Sequence, residues 1–340
     1  MSSKFCSIVI SSFLISTLVA CGGGGGGSSN SPPPAASVKT VEEAMTDAVL
    51  AGADGAFLYI EQAGDIQLRT AGQQDINSGI PASDQALFRI ASISKLFVAV
   101  AVAKLIDDGL LSADNTFSEF IPEYSSRIAN SQSISIRMMT QHRSGIPDFD
   151  SAAGFDWQNA HPDIITELER ILDLPADFLP DTSSAYSNSN YLLLGLIMDE
   201  VLGYDHADFI QAEILTPLGL LDTYYQFDVN LEDDMARGHW LGVDRTTQAY
   251  TIPGGSMIST LSDVGTFVRA LNTGGLLTDS ESQIYSGLYG RSHSGWLPGY
   301  QSNARFISSA NAVVVLFINE TGSNTESIMS QLYEEILQTL

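Results

Sequence analysis

Apolar residues first recur at helical spacing in Val41, Ala44, Met45, Ala48 and Val49, which predicts a helix with one buried face. Two short apolar stretches follow, Ala56 to Ile60 and Ile66 to Leu68, divided by Ala63-Gly64-Asp65; this spacing predicts a β-hairpin. From Ser92 to Ile106 the pattern changes, because after Lys95 the run Leu96-Phe97-Val98-Ala99-Val100-Ala101-Val102-Ala103 has no polar face. A helix that is apolar all round is a buried central helix. Between about Leu111 and Leu276 the chain reads as helices joined by Gly, Pro and Asp-rich loops. Ile164, Ile165, Leu168, Ile171 and Leu172 mark one helix, Tyr191 to Val201 another and Phe209 to Leu215 a third. A capping signal at Ser259 to Asp263 introduces one more, with Val264, Phe267, Val268 and Leu271 inward. Strand character returns in Gly299 to Ser308 and in Asn311 to Asn319, and a last helix turns Ile328, Met329, Leu332, Ile336 and Leu340 inward.

This order predicts an α/β (α+β) domain: an antiparallel sheet built from both ends of the chain, flanked by N- and C-terminal helices, with an all-helical domain inserted between. The expected division is a sheet subdomain over 38–98 and 282–340 and a helical subdomain over 99–281. No internal repeat is visible. With 340 residues and 44% hydrophobic content the chain can bury a core larger than one mean domain holds. Two subdomains around a cleft are the expectation.

Residues 1–20 read as an export signal, with Lys4 as a minimal basic start and an apolar stretch from Ile8 to Val19. The stretch is too short to serve as a transmembrane anchor. It ends in Leu18-Val19-Ala20-Cys21, which resembles the lipobox of bacterial lipoproteins, in which cleavage leaves a lipid-bearing cysteine as the new first residue. The resemblance implies an exported, membrane-anchored bacterial lipoprotein held by a lipid on Cys21, facing the periplasm or the surface. The Gly, Ser and Pro-rich stretch over 21–37 has the composition of a tether. The second cysteine, Cys6, lies in the segment to be removed, so neither a disulfide nor thiol catalysis is expected of the exported domain.

Net charge is −25, and loss of residues 1–20 removes Lys4 and no acid. Such a surface repels nucleic acid and anionic lipid headgroups.

Ser92-Ile93-Ser94-Lys95 is the chain's single Ser-x-x-Lys. Three residues of helix rise put its ends about 4.5 Å apart along the axis on neighbouring parts of one face, so hydroxyl and ammonium can touch. Ser92 at the start of a helix also lies near free N–H groups and the positive dipole end. An N-cap serine would look the same. A lysine inside an otherwise apolar helix, however, is costly unless paired. Tyr186-Ser187-Asn188, the single Tyr-x-Asn, stands just before an apolar helix, where Tyr186 can act as a general base beside a cation and Asn188 can offer its amide. Ser292-His293-Ser294-Gly295-Trp296 opens the C-terminal strands. Gly295 permits close approach to a strand edge, and Ser294 can hold a substrate carboxylate or carbonyl. The N–H groups of Ser92 and Trp296 then make a candidate oxyanion hole.

In that order the three elements resemble the signature of the serine β-lactamase and penicillin-binding protein superfamily, Ser-x-x-Lys, Tyr-x-Asn, Lys/His-Thr/Ser-Gly. The Tyr-x-Asn form is similar to class C β-lactamases and to related D-alanyl-D-alanine carboxypeptidases and esterases. Phe88-Arg89-Ile90-Ala91, His142 to Asp148, Tyr186 to Gly195, Leu215 to Gly219 and Gly254-Gly255 also look like segments of that family. The resemblance implies a β-lactamase/transpeptidase-like fold and a serine hydrolase forming an acyl-enzyme at Ser92. Lys95 and Tyr186 would manage the proton, Asn188 would bind the substrate amide, and His293, Ser294 and Gly295 would line the opposite wall. It implies no cofactor and no metal. The substrate class is an ester or amide, a peptidoglycan stem peptide or a small ester. A class C-like β-lactamase and a non-catalytic penicillin- or wall-peptide-binding lipoprotein are the alternatives.

The chain departs from typical β-lactamases in having His293, largely neutral at pH 7, where they carry lysine. It has Trp296 where such carboxypeptidases often carry a small hydroxyl residue. Arg291 and Arg305 are candidates for the missing charge. His142 to Asp148 holds His, Ser and Asp but reads as a structural Gly-Pro loop, and no Gly-x-Ser-x-Gly elbow is present. His161, His206 and His239 are expected at the surface or in loops, without metal-ligand spacing.

Overall fold

The computed structural model describes residues 38–322 and 324–340. The export signal, the Cys21 lipidation position and the 21–37 tether lie outside the described residues.

The strands of the main sheet are β1 Gly55–Gln62, β2 Asp65–Asp75, β3 Ile80–Pro81, β4 His293–Leu297, β5 Tyr300–Ile307 and β6 Ala312–Ile318. They pair antiparallel in the order β3-β2-β1-β6-β5-β4, so the two ends of the chain meet at the centre, where Leu58 lies opposite Leu316 and Tyr59 opposite Val315. Side chains alternate between faces along a strand. Phe57, Tyr59, Val315 and Phe317 therefore enter the large core, and Leu58, Ile60, Val314 and Leu316 enter a smaller one. Burial on both faces is the reason these strands read as continuous apolar runs.

The main helices are α1 Val41–Leu50, α2 Ser94–Asp107, α3 Ser189–Leu202, α4 Leu261–Thr273 and α5 Thr325–Leu337. α1 and α5 close the smaller core through Ala44, Met45, Ala48, Ile328, Met329, Leu332 and Ile336. α2 is the buried helix expected from its composition: every residue from Leu96 to Ala103 is inaccessible to solvent. Its small Ala and Val side chains let neighbouring elements approach on all sides. Among the described residues no helix is long and apolar enough to cross a membrane.

Two expectations need correction. The middle of the chain is mainly helical and irregular but also holds short strands at His239–Trp240, Val243–Asp244 and Ile258–Ser259, too brief to leave a periodic signal. α4, expected within the helical middle, packs against β1, β5 and β6, with Phe267 stacked on Phe97 of α2. An amphipathic stripe says that a face is buried, not against what.

Candidate active site

Ser92 sits in a single 3₁₀ turn, Ala91–Ile93, that leads into α2. The turn is entered through Ala91 at φ 50°, a left-handed conformation uncommon for a residue with a side chain. Lys95 follows on the first turn of α2 with no exposed surface. Its Nζ donates to Ser92 Oγ (3.0 Å), Asn188 Oδ1 (2.8 Å) and the Gly254 carbonyl (2.9 Å). Three donors meet three acceptors, which answers the cost of burying an ammonium in an apolar helix. Gly254 can be nothing larger: it has φ +75°, and a Cβ there would meet Lys95 Cγ and Tyr191 Cδ1 at 2.8 Å each.

Tyr186 lies on the loop before α3, 47% exposed, and its hydroxyl donates to Ser92 Oγ at 2.8 Å. Lys95 Nζ stands 5.1 Å from the Tyr186 ring centroid. Ser92 Oγ thus accepts from two groups, and its own hydrogen can be removed only when one of them has first given up a proton. Asn188 bonds through both ends of its amide. Its Oδ1 faces Lys95, while its Nδ2 donates to Asp148 Oδ2 (3.2 Å) and Asp150 Oδ2 (3.4 Å). Its amide nitrogen is thus engaged by two carboxylates. Burial and the neighbouring Asp150 charge push the Asp148 carboxyl up to about 7, and burial also raises Asp150.

The opposite wall is β4, the free edge of the sheet. His293 is pushed down to about 4 by burial and by the Lys95 charge. In the neutral ring Nδ1 donates to the Ser294 carbonyl and Nε2 accepts from the Tyr289 hydroxyl at 2.7 Å, a tautomer assigned from these partners. Ser294 is exposed toward the cleft. Gly295 also serves the fold: a Cβ there would collide with Ser302 Oγ, the Ile90 carbonyl and Ala91 Cβ, so glycine lets β4 lie against the turn that carries Ser92. Ser302 Oγ donates to the same Ile90 carbonyl at 2.8 Å.

Between the walls is a cavity of about 550 Å³ whose lining includes Ser92, Tyr186, Asn188, His293, Ser294, Gly295 and Trp296. All the catalytic and substrate-binding residues read from the sequence therefore line one space except Lys95, which lies beneath it. Sequence reasoning missed Asp150, Trp157, Gln301 and Glu326, which also line it, because no spacing marks them. Asp148 stood in a stretch read as structural. Of the two candidate cations, Arg291 is bound to Ser282 and to the Leu271 carbonyl with its guanidinium over Tyr285. Arg305 donates to Asn303 Oδ1 and lines an adjoining groove that shares Ser294, Gln301 and Ser330 with the cavity. Neither lines the cavity with Ser92.

The remaining histidines are not surface residues. His161, His206 and His239 are buried, each against a carboxylate: Glu167 at 2.8 Å, Asp199 at 2.6 Å and Asp54 at 2.8 Å. Asp54 reaches His239 from a distant segment, whereas Glu167 and Asp199 stand only six and seven residues from their histidines, and burial follows from pairing. Asp199, Asp205 and His206 also bring ligand-type atoms within 4.8 Å of one another, closer than their spacing suggested. Both His206 ring nitrogens already have partners, Asp199 and the Tyr225 hydroxyl.

A family profile described as Beta-lactamase matches residues 39–291. The chain belongs to the Beta-lactamase family. Its fold, a mixed α/β arrangement with an antiparallel sheet, is that of β-lactamase/transpeptidase-like serine hydrolases. It is 31% identical over 172 residues to Beta-lactamase-like protein 2 of Dictyostelium discoideum, covering 48% of this chain and 30% of that protein, so the chain spans well under half of that relative's length. It is 23% identical over 337 residues to Penicillin-binding protein 4 of Amycolatopsis lactamdurans, covering 84% and 85% of the two. Among solved structures, D-amino acid amidase from Ochrobactrum anthropi SV3 complexed with D-phenylalanine has a TM-score of 0.75 at 22% identity, covering 88% of this chain and 99% of that one.

Proposed function

We propose that this Beta-lactamase family member is a serine hydrolase that forms an acyl-enzyme at Ser92. The observation that carries the proposal is the pair of hydrogen bonds to Ser92 Oγ, from Tyr186 and Lys95, inside a cavity of about 550 Å³. With one of the pair deprotonated, Ser92 Oγ attacks a carbonyl carbon and passes its proton to that group. The N–H groups of Ser92 and Trp296 receive the developing oxyanion. Collapse of the tetrahedral adduct breaks the bond to the leaving alcohol or amine, which takes the proton, and leaves an ester on Ser92. Water repeats the sequence, releasing the acid and restoring the hydroxyl. Asn188 holds Lys95 in place, and His293, Ser294 and Gly295 form the far wall.

The substrate is an ester or amide, and the charge of the cleft narrows it. Asp148, Asp150 and Glu326 line the cavity, and no lysine or arginine does among the described lining residues. With neutral His293 in the third motif, the cleft lacks the fixed cation that holds a carboxylate beside the scissile bond. This favours small esters and amides with a free amino group over cephalosporins. The fold shared with a D-amino acid amidase agrees with an aminoacyl amide, and a peptidoglycan stem peptide, whose terminal carboxylate stands beside the scissile amide, is the less favoured amide substrate. Export and anchoring through a lipid on Cys21 complete the proposal.

Fluorophosphonate labelling of the intact protein beside Ser92→Ala tests the chemistry, and a wild type that takes no label and hydrolyses no p-nitrophenyl ester overturns it in favour of a binding protein. Relative kcat/KM for a p-nitrophenyl ester, a D-amino acid p-nitroanilide and a chromogenic cephalosporin tests the substrate class. The cephalosporin is expected last. Membrane fractionation of Cys21→Ser tests the anchor, which is lost if the lipid is real.

A further inference from the structure

The segment His142 to Asp150 runs beside Ala185 to Asn190 and bonds it at nearly every residue. The His142 carbonyl accepts from the Ala185 N–H (3.0 Å) and its Nδ1 from the Ser187 N–H (3.2 Å). Asp148 accepts from the Asn188 N–H (2.9 Å), the Phe149 N–H donates to Ser189 Oγ (2.9 Å), and Ser144 Oγ donates to Asn190 Oδ1 (2.6 Å). Between the two residues that His142 bonds stands Tyr186, whose ring lies against the His142 imidazole with centroids 4.4 Å apart and planes at 31°. Tyr186 is half exposed, and its hydroxyl has Ser92 Oγ as its only partner among the described residues. A tyrosine so placed has free torsions that something must arrest.

We infer that His142 is the positioning residue for Tyr186, clasping the backbone on both sides of it and stacking on its ring so that the phenol stays on Ser92. This rests on the reading of Ser92 as nucleophile. A residue kept only for packing needs none of these three contacts to converge on one neighbour. The conformation also has a cost, since His142 has φ 57°, a left-handed region sparsely used by residues with side chains. Its Nε2 is buried without a hydrogen-bond partner among the described residues, a further cost that packing alone does not explain. Burial and the Lys95 charge hold the ring neutral, down to about 3. It therefore keeps Nδ1 as an acceptor through the neutral pH range.

Three variants of the intact protein test this. His142→Asn tolerates the left-handed backbone and keeps an acceptor near the Nδ1 position, but it removes the ring. His142→Gly keeps only the carbonyl. Ser144→Ala removes a buried hydroxyl of the same loop that touches Asn190 and not Tyr186. With a p-nitrophenyl ester, kcat is expected to fall about 10-fold in His142→Asn and about 100-fold in His142→Gly, with KM within about 2-fold. Fluorophosphonate labelling of Ser92 should slow in parallel, and Ser144→Ala should melt lower yet keep kcat within about 2-fold. The inference is overturned if His142→Asn keeps the wild-type kcat and labelling rate, or if Ser144→Ala loses as much as His142→Asn. Should His142→Gly not fold, the comparison of the other two decides. Failure of the wild type to label overturns both this inference and the hydrolase reading, whereas equal labelling of wild type and His142→Asn removes only the positioning role.

Discussion

The two walls of the cleft are built on opposite plans. On the helical wall the three residues around Ser92 Oγ are bonded within the protein: Lys95 spends all three donors, Asn188 bonds through both ends of its amide, and Tyr186 is bonded to Ser92. On the strand wall the edge of the sheet is unpaired, Ser294 is exposed, and His293 is neutral and tied to Tyr289. The first wall is preorganised for proton transfer, where small displacements cost rate. The second is left open, where substrate selection belongs. Loss on the helical wall should fall on kcat, and change on the strand wall should redistribute substrates.

The largest effect is expected of Ser92→Ala, which should abolish covalent labelling and lower kcat at least about 10⁴-fold while leaving the melting temperature near that of the wild type. Tyr186→Phe keeps the ring on His142 and removes only the hydroxyl. It should lower kcat by about 10² to 10³-fold with little change in KM. A change mainly in KM there would break the contrast between the walls. On the strand wall, His293→Lys should raise the cephalosporin-to-ester ratio of kcat/KM by about 10-fold without a matching loss of ester turnover. An unchanged ratio would mean that the acidic corner, not His293, sets the preference.

The smallest effect is a pH dependence. His293 and His142 are held near 4 and 3 in the fold, below the ordinary imidazole value of about 6.5, so the unfolded chain binds more protons in that window. Their contribution to stability is fully present above about 6.5 and is lost as pH falls toward 4 and then 3. Asp148, held near 7, acts in the other sense: its contribution is present below about 4 and lost as pH rises through 7. Urea midpoints measured from pH 8 to pH 4 should therefore show less acid loss in His293→Gln than in the wild type, the difference growing as pH falls below about 6.5.

Periodicity was sufficient for the strands and helices that bury whole faces, since Val313 to Ile318 and Leu96 to Ala103 announce burial by composition alone. It was insufficient for α4, whose stripe is equally compatible with a helical neighbour, and for the two-residue strands near His239 and Ile258. The chemistry divides in the same way. Ser92 and Lys95 can be paired from sequence because helical rise fixes their distance. The aspartates on Asn188 and the Asp54 partner of His239 cannot, because distant segments bring them together.

By itself the sequence determined the order of the elements, the Ser-x-x-Lys contact, and the two further motifs that mark the family, all of which rest on local geometry or on residue type. Only the tertiary structure decided that Gly254 supplies Lys95 its third acceptor, that Asn188 turns its donor to Asp148 and Asp150, that Gly295 seats a strand against the Ser92 turn, and that His142 closes on Tyr186. Each of these is a contact between segments far apart in the chain. Spacing along a sequence carries no information about which distant atoms share the few ångströms over which hydrogen bonds act.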